Sequence, residues 1–312
     1  MNDFLAIIPL YNKENLIHRS VRSALNQNYP CDVLVLDDGS TDNSLERVQS
    51  LENKNLKILS HANQGVSYTR NLGINYAVKK GYHYVAFLDA DDYWLPNHIE
   101  IHNNLASKFP EASVYGSNYN LLSKGKLSET KFSNMNAQRD LLLECFFEHN
   151  YLNSVLSGSS FSLRVSEFNN TIMFDESLTH AEDTDFFFKL GIYKKIAFSK
   201  TVTAVIDKSA ENRSDKVKKS KRSYPDFSKY QSYISKHSGL SKYLDLNRFA
   251  LTIFYRINED LKKSHEIRQS INLDNLSAKQ RLLLKMSRNQ LKTLKSVQNL
   301  FLRMGIRLRT GD

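Results

Sequence analysis

The chain has 312 residues, 41% apolar and 24% charged, a size and composition for one large soluble domain or two ordinary ones. Its two cysteines, Cys31 and Cys145, have no local partner, which argues against a disulfide framework or a zinc site and reads as ordinary thiols in a reducing compartment. No run of about 18 uncharged apolar residues occurs, and Met1-Asn2-Asp3-Phe4 lacks the basic start and cleavage site of a signal peptide, so neither a spanning helix nor a leader is expected.

Phe4-Leu5-Ala6-Ile7-Ile8-Pro9 reads as an apolar strand ended by proline. Glu14 to Gln27 places Leu16/Ile17, Val21 and Ala24/Leu25 at helical spacing. Val33 to Leu36 is a second buried strand, stopping at Asp37-Asp38-Gly39-Ser40. A short helix over Asn43 to Leu51, a third strand over Leu56 to Leu59 and a helix over Val66 to Val78 follow. Tyr84 to Leu88 is apolar almost throughout, as a strand covered on both faces is. It runs straight into Asp89-Ala90-Asp91-Asp92. Pro96 to Lys108 predicts a helix with proline in its tolerated first turn. Such alternation with short loops means crossover units, hence a parallel sheet with helices on both faces. Beyond it the pattern predicts a strand over Ala112 to Gly116, an exposed loop over 121–136 and a helix over Asp140 to Phe147. Ser157 to Arg164 reads as another strand, opening on small residues.

In open α/β sheets, ligands bind beyond the carboxyl ends of the strands. Three polar clusters follow such ends: Tyr11-Asn12-Lys13-Glu14, Asp37 to Asp42, and Asp89 to Asp92. All three should gather on one edge. Three carboxylates within four positions repel one another and are costly to bury unpaired. A hard divalent cation, Mg²⁺ or Mn²⁺, relieves that cost; a solvated turn capping the next helix is the bland alternative. No Gly-Xaa-Gly-Xaa-Xaa-Gly follows the first strand and no Gly-Lys-Ser/Thr loop occurs, so the usual phosphate cradles are missing. A phosphate here would be met by a metal on Asp89 and Asp91, with Lys13 or Arg70 beside it.

At this point the chain resembles a family-2 inverting glycosyltransferase with the GT-A fold, of the non-processive bacterial type. The matching stretches are Ile7-Ile8-Pro9-Leu10-Tyr11-Asn12-Lys13-Glu14, Ser23-Ala24-Leu25-Asn26-Gln27 and Val35-Leu36-Asp37-Asp38-Gly39-Ser40-Thr41-Asp42. They continue with Asn63 to Asn71, Phe87 to Asp92, and Glu182-Asp183-Thr184-Asp185. The resemblance implies an α/β fold, a Rossmann-like, mostly parallel sheet with helices on both faces, followed by a helical, basic C-terminal region. It implies a catalytic domain over 1–214, with a nucleotide-sugar half (1–110) and an acceptor half (111–214), and a basic region over 215–312.

The resemblance also implies roles. Pro9, Tyr11 and Glu14 would line the nucleoside site, and Asp38 would accept from the uracil ring. Arg70 would stand near the donor. Asp89 and Asp91 would be the Asp-Xaa-Asp pair on Mn²⁺ or Mg²⁺, with Asp89 and Ala90 beside ribose and diphosphate, and Asp92 auxiliary. Asp42 reads as a helix cap. Asp183 would be the base that takes the proton from the attacking hydroxyl, supported by Glu182 and Asp185. His180 reads as a structural histidine, with metal or diphosphate contact the sharper alternative. Arg213, in Glu211-Asn212-Arg213-Ser214, lies where the family has a mobile loop and would be a lid cation near the diphosphate, with a plain surface arginine as the alternative. One base with no second nucleophilic carboxylate favours single displacement and inversion. The Gln-Xaa-Xaa-Arg-Trp motif of processive synthases is missing, and Trp94 is the only tryptophan. The implied activity is transfer from a nucleotide-sugar, UDP-linked, to a glycan or lipid-linked acceptor in bacterial capsule or lipopolysaccharide synthesis. The transferred group would be a hexose or an N-acetylhexosamine. Two rivals are a sugar nucleotidyltransferase, which would need a Gly-rich, Arg-bearing first loop, and a non-catalytic scaffold of the same fold.

The charge is uneven. Residues 1–200 carry 19 basic and 23 acidic side chains, residues 201–312 carry 24 and 10, so the whole-chain +10 belongs to the C-terminal third. There, 215–229 reads as a basic linker, and helices are expected over Tyr230 to Lys236, Leu244 to Lys263 and Ser277 to Arg307. The last sets Leu283, Leu291, Leu294, Val297 and Phe301 near one face amid nine basic residues over 275–312. An anionic membrane surface met by 277–309 is the expected partner, with packing on protein or a homo-oligomer seam as alternatives, and no nucleic acid. The expected location is cytoplasmic, peripheral at the inner face of the cell membrane.

Overall fold

A computed structural model of the full chain describes residues 2–135, 140–168, 171–209 and 222–303, the last six as backbone. The chain divides into two compact units: Met1–Phe146 with Asn153–Pro225, and Phe147–Leu152 with Asp226–Asp312.

The first unit opens as the apolar runs predict: β1 (Phe4–Leu10), α1 (Ile17–Leu25), β2 (Asp32–Asp37), α2 (Ser44–Gln49), β3 (Leu56–Ser60), α3 (Val66–Lys80) and β4 (Tyr84–Phe87). There follow β5 (Tyr93–Trp94), α4 (His98–Lys108), β6 (Val114–Ser123), β7 (Lys126–Glu129), β8 (Leu141–Leu142), β9 (Phe161–Arg164), α5 (Glu182–Tyr193) and β10 (Ile196–Asp207). The strands form one mixed sheet in the order β3-β2-β1-β4-β9-β6-β10-β5, with β7 on β6 and β8 on β10. β3, β2, β1 and β4 run parallel, which brings the carboxyl ends of β1, β2 and β4 to one edge. β9 is antiparallel to both its neighbours and joins this half to β6 and β10. Phe4, Ile8, Val33, Val35 and Ala86 are fully buried with Val21 and Ile99 from the helices. Gly73 of α3 has no room for a side chain, since a Cβ would stand 2.7 Å from Ile7 Cγ2; that glycine sets how closely α3 lies on β1.

Two expectations fail in this unit. The helix over 140–147 is instead the short strand β8 and a 3₁₀ turn at Phe146–Asn150. Leu141 and Leu142 pair with Phe198 and Ala197 at the edge of β10, where a strand satisfies backbone groups that a helix would leave open. The loop expected over 121–136 contains a hairpin, β6 into β7, turned on Lys124 and Gly125 in left-handed conformations.

The second unit contains a 3₁₀ segment (Phe227–Lys236) and helices α6 (Leu240–Ile257), α7 (Leu261–Gln269), α8 (Ala278–Lys285) and α9 (Arg288–Arg303). The two long helices expected here are both broken. Asp260 accepts the Lys263 N–H and starts α7 afresh. Ser277 and Gln280 form a capping box ahead of α8, and Ser287 and Gln290 exchange the same two bonds ahead of α9. A cap starts a helix, so the apparent single stripe over 277–309 is two pieces; its residues 304–309 lie outside the described ones. Among the described residues no helix is long and apolar enough to cross a membrane.

Candidate functional site

The turn after β4 is held from behind. Ser20 of α1 bonds the carbonyls of Ala90 and Asp92. Arg19 donates to Asp91 O at 2.7 Å and to Asp207 Oδ2 at 2.9 Å, and its guanidinium lies 4.6 Å over the Tyr93 ring. Ser159 Oγ accepts the Asp89 N–H at 3.0 Å and donates to Asp92 Oδ2 at 2.6 Å. The other oxygen of Asp92 accepts the Asp207 N–H at 2.8 Å. Burial and the charges of Asp89 and Asp91 push the Asp92 carboxyl well above its ordinary range, against these two bonds. Asp92 is therefore a structural acid with both oxygens engaged in the turn.

Asp89 and Asp91 keep their carboxylates for the edge. Arg70 Nη2 lies 2.7 Å from Asp89 Oδ1, and Lys13 Nζ 2.9 Å from Asp91 Oδ2. Oxygens of Asp89, Asp91 and Asp92 lie within 4.8 Å of one another, the one cluster among the described residues with the make-up of a metal site. Hard carboxylate oxygens so close suit Mg²⁺ or Mn²⁺. Because Asp92 is committed elsewhere, the available donors are Asp89 and Asp91. Gly158 presses its backbone on this site: a Cβ there would stand 2.5 Å from Asp89 Oδ2.

Arg70 also reaches across to α5. Its Nη1 donates to Glu182 Oε1 at 3.2 Å, so one buried guanidinium ties the turn after β4 to the head of α5. Burial, then the neighbouring Asp183 charge, push Glu182 up to about 7, with Arg70 opposing. Asp183, next in the chain, adds its charge to both Arg70 and Glu182. Its Oδ1 accepts the Thr184 N–H at 2.6 Å. Asp185 is fully buried and pairs with Lys189 at 3.2 Å one turn on, which suits helix anchoring. His180 is also buried; its ring lies 5.5 Å from that of Tyr224 and its N–H donates to Ser223 O. The acidic cluster does not include it.

The remaining predicted residues line the ends of β1 and β2. Pro9 is partly buried within β1, and Tyr11 beyond it is 46% exposed. Glu14 and Asp42 latch the two loops together: Glu14 N–H donates to Asp42 Oδ2, and Glu14 Oε2 accepts the Asn43 N–H. Asp42 also accepts the Ser44 N–H in the turn ahead of α2, but the cap position itself is Asn43, one residue on from the expected Asp42. Asp38 accepts the N–H groups of Gln64 at 2.7 Å and Gly65 at 2.9 Å, so it also shapes the turn ahead of α3. Burial lifts its carboxyl above the ordinary value against those bonds. Gly39, at φ +72, leaves room for Asn63, whose N would stand 3.0 Å from a Cβ there. Arg213 lies outside the described residues.

The sequence reading missed Arg19, Ser20, Ser159 and Asp207, which hold the acidic turn. The small residues of Ser157-Gly158-Ser159-Ser160 were the available signal; their contact with Asp89 and Asp92 was not.

The profile of Glycosyl transferase family 2 matches residues 5–167. A chondroitin synthase of Pasteurella multocida (strain Pm70) is 33% identical over 188 residues, 59% of this chain and 18% of that protein. The Escherichia coli protein UDP-Glc:alpha-D-GlcNAc-diphosphoundecaprenol beta-1,3-glucosyltransferase WfgD is 33% identical over 131 residues, 41% of this chain and 50% of that protein. The chain thus spans between about a fifth and a half of these relatives. The solved structure of S. aureus TarS 1-349 with UDP-GlcNAc superposes with a TM-score of 0.67 at 20% identity, covering 99% of this chain and 93% of that one. At that identity the likeness speaks for the fold, which is GT-A.

Proposed function

The chain belongs to glycosyl transferase family 2, and on that premise we propose that it transfers a sugar from a UDP-linked donor to a glycan or lipid-linked saccharide, with inversion, in bacterial surface-polysaccharide synthesis. The carrying observation is the bridge from Asp89 through Arg70 to Glu182. It brings the acidic edge of the parallel half within one side chain of the acids heading α5, as a transfer between a bound donor and an activated hydroxyl requires. UDP-GlcNAc in the TarS structure and UDP-Glc in the WfgD name favour a UDP-sugar, and the lipid diphosphate in that name favours a lipid-linked acceptor.

In this reading Asp89 and Asp91 hold Mn²⁺ or Mg²⁺. The cation, when bound, offsets the charge that builds on the leaving diphosphate. Pro9, Tyr11, Glu14 and Asp38 line the nucleoside, Ala90 approaches the ribose side, and Arg70 faces the donor. Asp183 takes the proton of the acceptor hydroxyl; Glu182 supports it from beside Arg70, and Asp185 anchors its helix. Residues 1–214 form the catalytic domain, and 215–312 a basic helical region that meets an anionic membrane surface at the cytoplasmic face. Leu294 and Val297 of α9 are 42% and 41% exposed with Lys292 and Lys295 interleaved, which supports that surface; a second copy of the chain is the other candidate partner.

The test is a screen of nucleotide-sugars for Mn²⁺-dependent hydrolysis. Turnover of one UDP-sugar, lost on chelation, is expected. Neither binding nor hydrolysis of any donor would return the chain to a non-catalytic scaffold. Vesicle flotation of the full chain against Lys292→Glu/Lys295→Glu tests the membrane surface; equal recovery on anionic vesicles would remove it.

A further inference from the structure

α3 carries two adjacent side chains that face different neighbours. Arg70 meets Asp89 and Glu182. Asn71, about 100° further round the helix, meets the irregular segment that leads into α5. It is 5% exposed. Its Nδ2 donates to Phe174 O at 3.0 Å and to Glu176 Oε1 at 2.8 Å, while its Oδ1 accepts the Phe174 N–H at 3.0 Å. The side-chain amide thus pairs with both backbone groups of one residue, as a neighbouring strand would, in a stretch outside the sheet. The chemistry fixes the amide's orientation, because the reverse would set the one amide oxygen against two acceptor oxygens and the NH₂ against an N–H.

Phe174 passes this constraint on in two directions. Its ring stacks on that of Phe186 with centroids 4.0 Å apart, and Phe186 lies on α5 one turn beyond Asp183. The Arg70 guanidinium lies 5.1 Å over the same ring. One aromatic ring therefore supports both the arginine that bridges the two acidic turns and the helix that presents Asp183.

We propose that Asn71 is a positioning residue: it fixes Phe174, and through that ring sets Arg70 and the first turn of α5 in register, so that the carboxylates of the two turns stand at a fixed separation. The assignment of the proton to Asp183 rests on the function proposed above; the placement of α5 does not. Only a short amide fits. Alanine would leave the N–H and C=O of Phe174 buried without their partner. A carboxylate of the same shape would face Phe174 O and the Glu176 carboxylate.

The test uses the full chain carrying Asn71→Asp. Hydrogen–deuterium exchange needs no substrate: peptides covering 171–178 and 182–186 should exchange at least about tenfold faster, with α1 and β1 unchanged. Affinity for UDP with Mn²⁺ should stay within about threefold, while kcat for hydrolysis of the donor found by the screen falls at least about thirtyfold at an unchanged KM. Adding Glu176→Gln should restore part of kcat, because the new amide can donate to the new carboxylate. A substitution at an exposed site would not repair a general loss of stability. Phe174→Leu, which keeps an apolar side chain and removes the ring face beneath Arg70, should reproduce the split and serves if Asn71→Asp does not fold. Unchanged exchange and kcat in either variant would overturn the proposal, as would parallel loss of UDP affinity, kcat and Tm. If the wild type hydrolyses no donor, the proposed function fails, and the exchange measurement still decides the role of Asn71.

Discussion

The turn at Asp89–Asp92 and the turn at Glu182–Asp185 face each other across Arg70, yet they are held in different ways. Side chains from α1, from the Ser157–Ser160 turn and a peptide of β10 all bond the first. The second hangs on α3, through Arg70 to Glu182 and through Asn71 and Phe174 to Phe186, with Ser223 bonded to Thr179 just ahead. Each buries one acid deepest, Asp92 and Asp185, while Asp91, also buried, pairs with Lys13. The difference teaches where precision is needed. A site built for a cation must fix several oxygens together, and a rigid surround does that. A proton acceptor needs one oxygen at the right distance, and a helix head tied to α3 and packed on Phe161 of β9 can provide it.

That contrast can be broken by substitution. The largest effect is expected for Asp183→Asn, about a thousandfold loss of transfer with UDP–Mn²⁺ affinity retained; a variant that turns over normally would remove Asp183 from its role. Asp91→Asn should instead weaken Mn²⁺-dependent UDP binding by about 30- to 100-fold, the 2–3 kcal/mol of a charged contact, measured by calorimetry. Ser159→Ala removes the bond partner of both the Asp89 N–H and the Asp92 carboxyl. It should lower stability by about 1–3 kcal/mol and reduce donor affinity and kcat together. A kcat-only loss would show that the first turn is held no more firmly than the second.

Acid and base should act on the two regions in opposite senses. Behind the first turn, His98 stacks on Trp94 at 4.1 Å, and His98 and His102 are fully buried among Thr203, Ser117 and Ser162. Burial holds His98 well below its ordinary value and takes His102 down to about 3. The unfolded chain therefore binds more protons below about pH 6.5, and stability falls on acidification by up to about 2.7 kcal/mol per pH unit for the two rings. Glu182 is the reverse case. With its folded value raised from 4.5 to about 7, its contribution is present below about pH 4.5 and lost as pH rises through 7. Glu182→Gln should raise Tm mainly above pH 7, and His102→Asn should flatten the acid limb. Melts at pH 4 to 8 would show both, and a uniform shift across that range would contradict the assignment.

The first four strands were legible because each is a largely apolar run; β1, β2 and β3 pair one crossover apart, while β4 returns to pair with β1. The polar clusters at their ends followed from the parallel direction alone. Leu141-Leu142-Leu143 was misread because its spacing suits either structure, and the choice fell to the open edge of β10, more than 50 residues on. The break before α9 was visible in Ser287-Xaa-Xaa-Gln290 but was overridden by the continuous apolar stripe. Within the site, Asp89, Asp91 and Arg70 could be picked from motif and position. The burial of Asp92 could not, since its partners Ser159 and Asp207 lie 67 and 115 residues away. Asn71 belongs to the Asn63–Asn71 stretch, but its partner Phe174 is 103 residues distant.

The commitment of Asp92 to the interior alters what an arriving ligand meets. Four letters of the motif suggest an edge with three negative charges. The two carboxylates left there, Asp89 and Asp91, each already sit against a cation, Arg70 and Lys13. Arg70 is shared with Glu182 and also feels Asp183, so this corner keeps a net negative charge. A bare diphosphate meets a repulsive field there and one accompanied by its own divalent ion does not, so association should need the ion, and that need should weaken as ionic strength rises.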